Sequence, residues 1–123
     1  MLNAIQSVLE TVEDREHIFY GGVTNVDPVD RWNYIVFSRG PLRRSAKGNT
    51  SYVRTITVAI VHEEYVPEET IHAVIDAMES LPNVRFEDIG SSSDYDYKGN
   101  TKTVVEVASL QFSWAYKKGV NNG

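Results

Sequence analysis

SYVRTITVAIVHEEYV, residues 51–66, reads as one long β-strand. Val, Ile, Thr and Tyr dominate it, and those side chains fit a pleated, half-buried surface. Tyr52, Ile56, Val58 and Ile60 alternate along one side, with Arg54 breaking the row. Val53, Thr55, Thr57, Ala59 and Val61 fill the other. Both sides are fairly apolar, which predicts a central strand or a sheet covered on both faces.

The segments on either side give it partners. RWNYIVFSRG, residues 31–40, is aromatic and β-branched and bounded by turn residues, so it predicts a neighbouring strand. Between the two lies RGPLRRSAKGNTS, residues 39–51, read as a flexible loop of about a dozen residues where a hairpin needs two to five. On the C-terminal side, VPEETIHAVIDAMESLPNV predicts the best helix of the chain. Pro67 suits its first turn, and Glu68 and Glu69 complement the positive end of its dipole. Ile71, Val74, Ile75, Met78 and Leu81 form its apolar stripe, and Pro82 ends it.

Leu2, Ile5, Val8, Leu9 and Val12 predict an N-terminal amphipathic helix of about three turns, stopped by Glu13, Asp14 and Glu16. HIFYGGV reads as a first strand, NVDPVDRW as a turn, VRFEDIG as a short extended piece and SSSDYDYKGN as a second polar loop. TKTVVEVASLQFSWAYKK is a long final strand. Thr103, Val105 and Val107 share one face, whereas Leu110, Phe112, Trp114 and Tyr116 are out of step by one, which predicts a bulge or bend. The residues from about 119 to 123 read as a frayed tail. The order predicts a single α+β domain over 1–123, a mostly antiparallel sheet of about four strands with two helices packed on it.

Composition narrows the chemistry. The 123 residues suffice for one core, with about two thirds of the unfolded surface buried. There is no cysteine, which removes disulfides, thiolate metal sites and a cysteine nucleophile, and fits a reducing compartment. The first residues lack the basic region of a signal peptide, and no run approaches the ~18 apolar residues of a membrane span. A net charge of -5 argues against wrapping duplex nucleic acid.

No catalytic, cofactor or metal residue emerges. His17, His62 and His72 are scattered, and HEEYV lacks the second His at helical spacing. G-x-S-x-G, P-loop and G-x-G-x-x-G patterns are absent. Ser91, Ser92 and Ser93 read as loop solvation, and Asp94 and Asp96 begin an EF-hand-like alternation that the following residues do not complete. Tyr95, Tyr97, Trp114 and Tyr116 raise a base-stacking reading. They lie far in sequence from the basic loop, so packing is the simpler role for Trp114 and Phe112.

What stands out is charge. Arg39, Arg43, Arg44 and Lys47 place four of the twelve basic residues in one stretch without an acid. Apart from plain solvation, such a stretch touches phosphate, docks on an acidic partner, or meets an acidic patch on a copy of itself. Glu87, Asp88, Asp94 and Asp96 supply that patch, and complementary patches on one chain suit a head-to-tail closed ring.

A short N-terminal amphipathic helix, a strand pair with a long loop, a helix opening VPEET and a long C-terminal strand together resemble the tail terminator, or tail completion, proteins of long-tailed bacteriophages. The resemblance follows the order of elements over nearly the whole chain and no single motif. It implies a non-enzymatic structural protein of the virion, made in the host cytoplasm and sited at the head–tail junction. Six copies would form a ring on the finished tail tube, stop tube polymerisation and present the docking surface for the head connector protein. Genome DNA would pass through the lumen without sequence-specific binding. Arg39, Arg43, Arg44 and Lys47 would then be assembly contacts, with Asp94 and Asp96 their neighbours or lining the lumen. Another head–tail connector component, a small binding or inhibitor module, and an enzyme subunit without its own active site are the alternatives.

Overall fold

The computed structural model describes residues 1–21, 33–45, 51–63, 65–88, 93–97 and 104–117. Its axis is the strand predicted first, β3 (Ser51–Glu63), flanked by β2 (Tyr34–Arg44) and β6 (Val104–Lys117). Both pairings are antiparallel. β1 (Ile18–Tyr20) adds a short parallel strand outside β2. β4 (Val84–Asp88) and β5 (Ser93–Tyr97) lie end to end along the far side of β6, both antiparallel to it. The result is one sheet of six strands, ordered β1-β2-β3-β6-β4 with β5 also on β6. With α1 (Leu2–Leu9) and α2 (Glu68–Glu79), the chain is α+β with a mostly antiparallel sheet.

Register explains the core. Ile35, Ile60 and Ala108 form one cross-strand row, and Phe37, Val58 and Leu110 the next. Ile56, Phe112 and Phe86 make a third. These rows share one face of the sheet, since alternate residues along a strand point the same way. Ile5 and Leu9 of α1 and Ile71, Val74 and Met78 of α2 pack into the same buried cluster. A fully buried aliphatic or aromatic side chain contributes about 1.5–3 kcal/mol relative to exposure, so these five helix residues hold both helices on the sheet.

The helices differ slightly from expectation. α1 ends at Leu9, after which Thr11 and Val12 amides donate to Val8 and Leu9 carbonyls in a turn. Val12 still packs on the core. Pro67 caps α2 from just outside, with extended backbone, and Glu68 and Glu69 begin the helix. Ile75 and Leu81 lie at the edge of the core. After α2, Asn83 adopts a left-handed φ of 63°, a conformation that Asn tolerates better than most residues.

Three sequence expectations need correction. The stretch from Arg39 is not loop: β2 continues to Arg44, and the Ser45 amide donates to the Ser51 carbonyl at 2.8 Å. The polar segment around Asp94 and Asp96 is a strand, β5, hydrogen-bonded to β6. The long strand β6 has no bulge against β3; the ladder runs unbroken from Ser51↔Lys117 to Glu63↔Val105. Its change of apolar phase arises because Val107 lies on the face opposite the helices. There Val107 pairs with Val61, Val61 with Tyr34, and Tyr34 meets the edge of the Phe19 ring. Both faces of β3 are apolar because this second small cluster sits under one end of the sheet. The bulges fall instead in β2, between Arg39 and Leu42, and in β4, between Phe86 and Asp88. The turn at NVDPVDRW, Lys47 and the tail from 119 lie outside the described residues.

Candidate functional site

The bulge in β2 organises the basic segment. Arg39 pairs with Ile56, but Leu42 pairs with Arg54, so three residues of β2 span two of β3. The extra residue flips all that follows to the other face. Leu42 and Arg44 therefore point to the helix side, in line with Arg54 and Tyr52, while Arg43 faces away. Pro41 has no amide to donate, which suits a bulge on an edge strand. At Gly40 the strands approach closely: a Cβ there would lie 3.3 Å from Thr55 Cβ and Cγ2, so Thr55 would have to give by a few tenths of an ångström.

This part of β2 is a sheet edge among the described residues, since β1 pairs only with Ile35, Val36 and Phe37. Arg39 Nε donates to Tyr20 Oη at 3.2 Å, and Arg54 Nη1 to the Gly40 carbonyl at 3.1 Å. Tyr20 and Leu42 are exposed beside the arginines. Arginine and tyrosine around an exposed apolar residue are the composition favoured in protein interfaces.

The opposite edge of the sheet has the opposite charge. β4 and β5 together carry Glu87, Asp88, Asp94 and Asp96 against Arg85 alone. Glu87 accepts a bond from Ser113 Oγ at 2.6 Å. Asp94 and Asp96 pair in register with Val107 and Val105. The two edges are level only in part: Asp88 lies across from Ser38, next to Arg39, whereas Asp94 and Asp96 lie across from Tyr34 and Glu63 at the other end of the sheet. One row runs Arg39, Ile56, Phe112, Phe86, and the next runs Leu42, Arg54, Trp114, Val84.

Beyond the helices, the same sheet face carries a row of aromatic rings. Trp114 stacks on Tyr116, with centroids 4.2 Å apart and planes 21° apart. Tyr116 stacks on Tyr52 across the strand pair at 5.7 Å. The Arg44 guanidinium lies 5.6 Å from the centroid of the Tyr52 ring. These three rings line a cleft of about 570 Å³, together with Met1, Ala4 and Leu81. Lys117 lines it, and the described lining includes no carboxylate. The fold thus brings Trp114 and Tyr116 to the basic segment, although they are far apart in sequence. Tyr52 joins them, a residue that the sequence marks only as part of one side of β3. Its place in the row Tyr52–Arg54–Ile56, matched to Phe112–Trp114–Tyr116 in an antiparallel pair, is the signal that locates it.

The histidines lie elsewhere. At the other end of the sheet, Glu13, Asp14 and His17 bring their ligating atoms within 4.8 Å of one another. His17 Nδ1 is 3.5 Å from Glu13 Oε1, which also accepts the Asp14 amide at 3.0 Å. His62 is half-buried nearby; burial lowers its pKa, and the Glu13 carboxylate partly opposes that. His72 is exposed, 3.9 Å from Glu68 on α2.

No protein-family model matches the sequence, and no curated protein matches it. A crystal structure from Akkermansia muciniphila aligns with 97% of this chain and 77% of its own, at 9% identity and a TM-score of 0.41. Similarity at that level bears on neither fold family nor function.

Proposed function

We propose that this chain is a ring-forming structural protein of a long-tailed bacteriophage, which caps the tail tube and docks the head connector. One observation carries the ring: Arg39 on one edge of the sheet lies level with Glu87 and Asp88 on the other. A copy moved sideways brings its Glu87 and Asp88 beside Arg39 of its neighbour. Such a contact joins two different patches, so it repeats head to tail and closes when the rotation per copy allows. The Gly40–Pro41 bulge blunts strand-to-strand addition at this edge, so the contact is made by side chains. The number of copies and the phage setting rest on the resemblance in element order. In this reading the chain has no catalytic role, binds tube and connector proteins, and lets DNA pass.

The test is native mass spectrometry across a concentration series at low and moderate salt. A discrete hexamer that weakens with salt is expected. Reversing Arg39 to Glu should leave monomers, as should reversing Glu87 and Asp88 to Lys. Both reversals in one chain should restore the ring. Monomers at every concentration, with no capping when purified tail tubes are added, would sink the proposal.

A further inference from the structure

We infer that the cleft beside Trp114, Tyr116 and Tyr52 is a binding site for a phosphate-bearing nucleobase, supplied either as a free nucleotide or within a single strand. Three observations meet there. The first is the row of stacked rings, all half-buried and all lining the cleft. Every base has a π-face, so such rings hold bases with little regard to sequence. The second is charge. Arg44 packs on the Tyr52 ring, Lys117 lines the cleft, and Arg54 follows two residues on from Tyr52 on the same face. Without a carboxylate in the described lining, this end of an acidic protein is locally cationic, which suits phosphate. The third is size and polarity. A cleft of about 570 Å³ falls in the range of small-ligand sites, about 300–1,000 Å³. Its remaining wall is apolar, from Met1, Ala4, Leu81 and Pro82, while Ser45, Ser51 and Asn83 offer hydrogen bonds to a base edge.

The bulge in β2 is what assembles the site. Without the extra residue Arg43, not Arg44, would share the face of Tyr52. The inference is independent of the ring, because the cleft is built within one chain.

The test is a titration of the full-length protein, followed by tryptophan fluorescence and by amide chemical shifts, with AMP, a dA10 oligonucleotide, inorganic phosphate and a Glu-rich decapeptide. Saturable binding of AMP or dA10 is expected, with shifts centred on Tyr52, Trp114 and Tyr116. Arg44→Gln and Tyr116→Ser should each weaken it by about tenfold, with thermal unfolding confirming that the variants fold. Equal affinity for AMP and dA10 identifies a free-nucleotide site. Much tighter, salt-sensitive binding of dA10 identifies a single-strand site. Three results overturn the inference: no saturable binding of either probe at millimolar concentration, binding unchanged in both variants, or the peptide binding more tightly than the nucleotides.

Discussion

His62 and Glu13 show how single residues couple this fold to pH. Burial disfavours the imidazolium of His62, and Glu13 only partly offsets that. The folded chain therefore binds a proton at His62 less readily than the unfolded chain. Stability linked to this group is fully present above the ordinary imidazole value of 6.5. It is lost as pH falls below that value toward the lowered one. His62→Gln should flatten the decline in stability between about pH 7 and pH 5, read as urea midpoint against pH. An unchanged decline would assign the acid sensitivity to other groups.

Among the elements, the entry to α2 depends on a side chain of β6. Glu106 Oε1 accepts the Val66 amide at 2.9 Å, two residues before the helix begins. Val66 is itself part of the core. Glu106→Ala leaves that amide without its partner and should cost about 1–3 kcal/mol in urea unfolding, with faster hydrogen exchange at Val66. A loss below a few tenths of a kcal/mol would mean that apolar packing alone holds the helix entry. β3, α2 and β6 were legible in the sequence because their apolar periods are long and regular. β5 was not, because SDYDY carries alternating acids that read as loop, and its backbone bonds to β6 leave no apolar trace. The end of β2 was hidden in the same way. Gly40 and Pro41 signal a turn, and here they make a bulge within a continuing strand. The three arginines were visible as a group, but their aromatic neighbours were not. Tyr52 and Tyr116 meet only through a register spanning 64 residues of chain, which no local pattern encodes.

At the scale of the whole molecule, charge and shape are arranged along one direction. The strands lie side by side from a basic edge to an acidic one, the helices cover one face, and the aromatic cleft opens beyond their ends. Charge-edge assembly and cleft binding can be separated experimentally. Reversing Glu87 and Asp88 should abolish the ring without altering nucleotide titrations, whereas Tyr116→Ser should do the converse.

The unbroken ladder between β3 and β6 also governs the order of events in folding. Thirteen residues of β3 find their partners on a strand that ends at Lys117. Phe112, Leu110 and Ala108 complete rows that Ile56, Val58 and Ile60 begin. Until β6 arrives, β3 presents its apolar face to water along a whole side, and both helices lack much of their seat. Closing so many non-local pairs makes folding slower than that of a helical bundle of the same size. A growing chain therefore exposes the apolar face of β3 until β6 is available to cover it.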